Sequence, residues 1–244
     1  MAQIPEVDLF DECVSRIEAG YHDLGHQLGW QFLYTSKRTF SRNAPLWFIG
    51  LNPGGAEHRD PVRSFEEGNA YRVDRWGGRG KGGSLPGPNP LQRQIIRLFQ
   101  HIAEKSGADH VELMDSTLTA NFCPFRSPSW NALANRKETL CLSKKLWGDI
   151  SKSLLPRAIV TISTQATTGL VQSLDGIGYT VKNRDRIFVG WGKISGEKIK
   201  LSNGTGEILI VRFPHFSRFP IIGRPESDDA VCILVDEIVS AIES

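Results

Sequence analysis

The run Leu46-Trp47-Phe48-Ile49-Gly50-Leu51 has no polar residue and passes straight into the turn residues Asn52-Pro53-Gly54-Gly55. A strand with no polar face has to be covered on both sides, which favours a sheet packed between layers of helix. Ser116–Phe122, Ala158–Ser163 and Ile208–Arg212 repeat the pattern of a short buried strand. Between them, apolar residues fall at helical spacing over Val7 to about Trp30, Leu91–Lys105, Lys137–Leu155, Thr164–Leu174 and Asp228–Ile242. Strands alternating with helices predict an α/β fold, a three-layer sandwich about a mainly parallel central sheet.

The intervening segments are of two kinds. Tyr179 to about Leu201 reads as β-rich, with hairpin signals at Ser195-Gly196 and Asn203-Gly204. A long polar insertion, about 55–90, ends in WGGRGKGGSLPGPNP and reads as a loop. With 244 residues and 40% hydrophobic content, the chain fits one domain carrying that insertion. The formal net charge is only +2, but basic residues outnumber acids between Gly54 and Arg97. Arg79 and Lys81 in this stretch are candidate DNA-phosphate contacts. A phosphate-loop reading of GGRGKGG fails, because Gly82 follows Lys81 and no strand precedes it.

The four cysteines form no CxxC pair, so neither a zinc site nor an iron–sulfur cluster is expected. His22 and His26 lie one helical turn apart without a nearby third ligand, and read as an exposed helix face. Lys182, Arg184 and Arg186 read as a solvated turn, with DNA contact as the alternative, and Trp130 and Trp147 as packing residues. No apolar stretch is long enough for a membrane helix and the N-terminus is acidic. A cytoplasmic monomer with no membrane partner is the expectation.

In an open parallel sheet, ligands bind beyond the carboxyl ends of the strands. Three loops stand there: Gly50-Leu51-Asn52-Pro53-Gly54, Asn121-Phe122-Cys123-Pro124-Phe125-Arg126, and Pro214-His215-Phe216-Ser217-Arg218. Each is weak alone; together, in this order, they resemble the uracil-DNA glycosylase superfamily. GLNPG looks like the first motif of its mismatch-specific and single-strand-selective branches. NFCPF is similar to the motif that supplies a base-reading asparagine, and PHFS to the histidine-proline-serine motif.

The resemblance implies a monofunctional DNA glycosylase that flips out a pyrimidine and hydrolyses its N-glycosidic bond, with no metal or organic cofactor. Asn52 would hold the attacking water, and a neutral His215 would donate to the O2 of the departing base. Asn121 has the donor and acceptor needed to read a Watson–Crick edge. Ser217 would hold a phosphate, with Phe219, or Arg218 in competition, wedged into the emptied stack. Phe216 departs from the motif, standing where relatives have proline. Gly54 stands where the uracil-specific branch has a tyrosine that blocks 5-substituents. Phe65, Tyr71 and Trp76 in the insertion are candidates for stacking on the base, and Glu66, Glu67, Asn69 and Asp74 for bonding a hydroxyl-rich substituent. Packing of the insertion as a surface lid is the alternative. Two substrate classes stay open, uracil in cellular DNA and a hypermodified cytosine in phage DNA, the first repair and the second defence. A catalytically inactive DNA-binding protein, and an α/β enzyme acting on free nucleosides or nucleotides, remain as other readings.

Overall fold

A computed structural model describes residues 6–44, 46–74, 76 and 89–244. The helices are α1 (Glu6–Asp23), α2 (Ala70–Val73), α3 (Pro90–Ser106), α4 (His110–Ser116), α5 (Arg136–Leu154), α6 (Thr164–Asp175) and α7 (Asp228–Glu243). The strands are β1 (Trp47–Gly50), β2 (Leu118–Asn121), β3 (Ala158–Thr161), β4 (Thr180–Phe188), β5 (Ser195–Ser202) and β6 (Glu207–Arg212). They form one sheet in the order β2-β1-β3-β6-β5-β4.

The sheet is mixed rather than mainly parallel. β2, β1, β3 and β6 run parallel, whereas β5 is antiparallel to both β6 and β4. The short connections on either side of β5 leave no room for a crossover helix, and strands so joined pair antiparallel. Asn203-Gly204 is in the β5–β6 turn as expected, but Ser195-Gly196 opens β5. The β4–β5 turn lies just before it, closed by Val189 N–H to Ile194 O at 3.1 Å.

Alternation along the strands builds a core on each face. Trp47, Ile49, Leu118, Ala120, Ile159 and Ile210 join the cluster that contains residues of α1, α5 and α6. Phe48, Val160, Leu209 and Val211 face the other way, in the cluster with α3, α4 and α7. The arrangement is a helix–sheet–helix sandwich. Trp147 is fully buried, and Trp130 is half-buried against the first core.

Two element boundaries differ from expectation. α1 stops at Asp23 rather than near Trp30, and Gly25 and Gly29 follow at φ 67° and 87°. A side chain at Gly29 would run into the carbonyl of Arg59, so the chain crosses tightly there. Ser116, expected in a strand, ends α4, whose N-terminus is capped by Asp109 accepting from Val111 N and Glu112 N.

The insertion is not a free loop over its first part. Residues 30–34 run beside β2, with Tyr34 N–H donating to Thr119 O at 2.7 Å. Outside them, Phe32 N–H donates to Val62 O at 2.9 Å and Val62 N–H to Trp30 O at 3.0 Å. Two irregular extended segments thus satisfy the backbone that β2 would otherwise expose. Residues 77–88, with Arg79 and Lys81, lie outside the described residues. No described helix is long and apolar enough to cross a membrane.

Candidate active site

Because β2, β1, β3 and β6 are parallel, their carboxyl ends share one edge of the sheet. The chain leaves β1 to form β2 on one side and β3 on the other, so β1 and β3 mark a switch point. Asn52 follows β1, Asn121 ends β2 and His215 follows β6. One strand, β3, separates β1 from β6, placing the Asn52 and His215 loops about 10 Å apart at strand spacing.

The first two loops are laced together. Phe122 N–H donates to Gly50 O at 2.9 Å, Cys123 N–H to Leu51 O at 2.8 Å and Ser127 N–H to Pro53 O at 3.0 Å. Arg126 adds a bond from Nη1 to Gly54 O. Burial, and Arg59 nearby, lower the pKa of that guanidinium. Within the turn, Asn52 Nδ2 donates to Pro53 O at 3.0 Å, leaving Oδ1 as the acceptor for a water. Gly54 is exposed with nothing near the position of a Cβ, so the turn presents no wall there.

Asn121 is buried, at 4% exposure, and its side chain lies over Gly50, its cross-strand neighbour. A Cβ on Gly50 would overlap Asn121 Oδ1 and stand 3.6 Å from the Tyr71 hydroxyl. Asn121 also reaches the buried Tyr34, and a hydrogen bond between them works to lower the tyrosine's pKa. Burial outweighs it and raises the tyrosine's pKa. Tyr34 stacks on Tyr71 at 5.5 Å between ring centroids.

Phe65, Tyr71 and Trp76 are candidates for stacking on a base, with packing of the segment as a lid the alternative. Tyr71 is instead 4% exposed, with Phe48 and Trp76 edge-on to its ring, and Phe65 and Trp76 are half-buried against the same core. Asn69 is fully buried, donating to Met114 O and Thr119 Oγ1 at 3.0 Å each. Glu66 accepts from Ser36, Ser64 and Lys37 N, and Asp74 from Trp76 Nε1. Asn69 and Glu66 thus tie the segment to Met114, Thr119, Ser36 and Lys37.

His215 is half-buried, and its Nδ1 lies 2.8 Å from Ser217 Oγ. Burial first, then the positive charge of Arg218, lowers its pKa below the usual histidine value. The ring is neutral at pH 7, and the tautomer that accepts from the Ser217 hydroxyl at Nδ1 keeps its proton on Nε2 as a donor. Phe216 is fully buried and packs on Phe213 at 5.7 Å, so a core anchor holds the loop. Phe219 is half-buried, edge-on to Trp191 at 5.8 Å, whereas Arg218 is exposed.

Sequence reasoning missed Tyr34 and Arg126. Arg126 directly follows the second motif, a signal that was present, but nothing local marks Tyr34, whose place depends on the pairing of 30–34 with β2. His26 lies beyond α1 and is buried, stacked on Phe125 at 4.0 Å with Nε2 3.0 Å from Thr139 Oγ1. No group of three or more His, Cys, Asp or Glu among the described residues is arranged to hold a metal. A cleft of about 380 Å³ lies at the opposite end of the sheet, lined by Arg157, Glu207 and Leu209. Its Glu237 is paired with Lys198 and Lys200. No protein-family model matches the chain, and no curated protein matches it.

Proposed function

We propose that the protein is a DNA glycosylase on a uracil-DNA glycosylase-like fold, hydrolysing the N-glycosidic bond of a flipped pyrimidine nucleotide. The observation that carries this reading is His215, an uncharged imidazole fixed at Nδ1 and standing across the switch point from Asn52. As the bond breaks, negative charge gathers on the base. A neutral donor at Nε2 stabilises that anion through a hydrogen bond that strengthens as charge develops. Asn52 Oδ1 orients a water, and with an amide there the rate rests on electrostatics rather than on a strong base. Asn121 reads the base edge, Ser217 and Arg218 lie where they can meet phosphate, and the open turn at Gly54 admits a 5-substituted pyrimidine.

The test is incubation with DNA containing uracil, mismatched thymine, 5-hydroxymethylcytosine or its glucosylated form, followed by alkaline cleavage at abasic sites. Asn52→Ala and His215→Ala should each slow release roughly 100-fold or more. Release from uracil alone assigns repair, and release from glucosylated DNA alone assigns defence against modified DNA. Release that persists in both variants refutes the assigned residues.

A second reading draws on the burial of Asn121, whose amide is already engaged with Tyr34. A protein that holds DNA without cleaving it would show salt-sensitive binding and no abasic sites with any substrate.

A further inference from the structure

β4 is the outer strand of the sheet, paired on one side by β5 and on the other by no strand among the described residues. Most of its residues are exposed. An open edge of this length invites another strand, but two features oppose that. Lys182 lies where the register against β5 shifts, and two arginines, Arg184 and Arg186, follow. What the edge offers instead is charge. Arg184 is held by Glu197 at 2.9 Å, whereas the exposed side chains of Lys182, Arg186, Lys193 and Arg218 have no ion-pair partner among the described residues. Lys182, Arg184 and Arg186, read from sequence as a solvated turn or a DNA contact, are all on the strand.

Phe188, at the end of β4, is 61% exposed, more than any other large apolar side chain described. It shares a strand face with Arg184 and Arg186. β5 is antiparallel to both neighbours, so β4 runs in the same direction as β6. Phe188 and the following turn therefore reach the edge of the sheet where His215 stands. Trp191 of that turn packs on Phe219 and lies under Arg224, 4.5 Å from ring centroid to guanidinium carbon, which ties the hairpin tip to the His215 loop.

We propose that this edge and tip bind an unpaired stretch of polynucleotide. Lys182, Arg186, Lys193 and Arg218 face its phosphates, and Phe188 stacks on a base. A row of cations beside an exposed ring suits a single strand, because only an unstacked base offers its face. The inference rests on the DNA partner proposed above, but not on base release.

The experiment is fluorescence anisotropy with a short fluorescein-labelled oligodeoxythymidylate, titrated at several salt concentrations. Wild-type protein should bind with an affinity that falls as salt rises. In the double variant Arg186→Ala/Lys193→Ala the slope of log affinity against log salt should shrink by about 1.4, roughly 0.7 per lost phosphate contact. Phe188→Ala should weaken binding about 5-fold or more with the slope unchanged. All three positions are exposed, and circular dichroism checks that the variants stay folded. Wild-type affinity and slope in every folded variant would overturn the surface while leaving the glycosylase reading in place. Absence of binding by the wild type to this strand, with abasic sites still formed in duplex DNA, would also overturn it alone. Absence of both would remove the two readings together. A concentration-dependent dimer abolished by Arg186→Ala would assign the edge to a second copy and overturn the proposal.

Discussion

Replacing Gly50 by alanine places a methyl group where β1 passes beneath the Asn121 side chain. The new Cβ would overlap Asn121 Oδ1 and stand 3.3 Å from its Cγ. Asn121 is buried in the strand beside it, so its side chain rather than the backbone has to give. Rotating the amide forfeits its bond to Tyr34 and leaves a buried hydroxyl without that partner, costing about 1–3 kcal/mol. An off-rotamer side chain adds roughly 0.5–1.5 kcal/mol. The sum, about 1.5–4.5 kcal/mol, lowers the melting temperature by roughly 3–18 °C for a chain of this size. Calorimetry or urea unfolding of wild type, Gly50→Ala, Asn121→Ala and the double variant checks the cause. With Asn121 cut back to alanine the obstruction is gone, and Gly50→Ala should then be neutral or stabilising by a few tenths of a kcal/mol. An equal cost of Gly50→Ala in both backgrounds would refute the clash.

Burial lowers the His26 pKa from 6.5 to about 4, so the unfolded chain binds a proton that the folded one resists. Its contribution to stability is complete above pH 6.5 and is lost as pH falls toward 4. Between pH 6.5 and 5 it accounts for about 2 kcal/mol, and urea midpoints should show a smaller acid loss in His26→Phe than in wild type. His215 has its pKa lowered too, so base release should be level above the ordinary histidine range and fall as acid protonates the ring, read as a pH–rate profile. Phe216→Ala removes a fully buried ring from beneath the His215 loop and should cost about 3–5 kcal/mol, measured by thermal unfolding.

Much of the fold is legible because local patterns report burial. The run Leu46–Leu51 has no polar side, and β1 is buried at every position. Asn203-Gly204 marks a real hairpin turn, since its conformation is chosen by the residues themselves. Ser195-Gly196 has similar chemistry but is strand, because pairing with Phe188 and Ile187 decides its backbone. Of the site, the sequence names Asn52, Asn121 and His215, and the parallel strands bring all three to one edge.

What the sequence alone determined is the succession of the longer helices with the buried strands and the residues that follow those strands, both consequences of periodicity and turn chemistry within a short window. The tertiary structure decided the rest. Residues 30–34 and 59–65 carry no strong strand pattern, yet they extend the sheet past β2, because the backbone there needs partners. Tyr34 thereby reaches Asn121, and Tyr71 is enclosed rather than offered for stacking. Phe216, which reads locally as a break in a motif, becomes the core anchor of the His215 loop. Each depends on contacts between residues distant in the chain, and no local preference encodes which distant groups will meet.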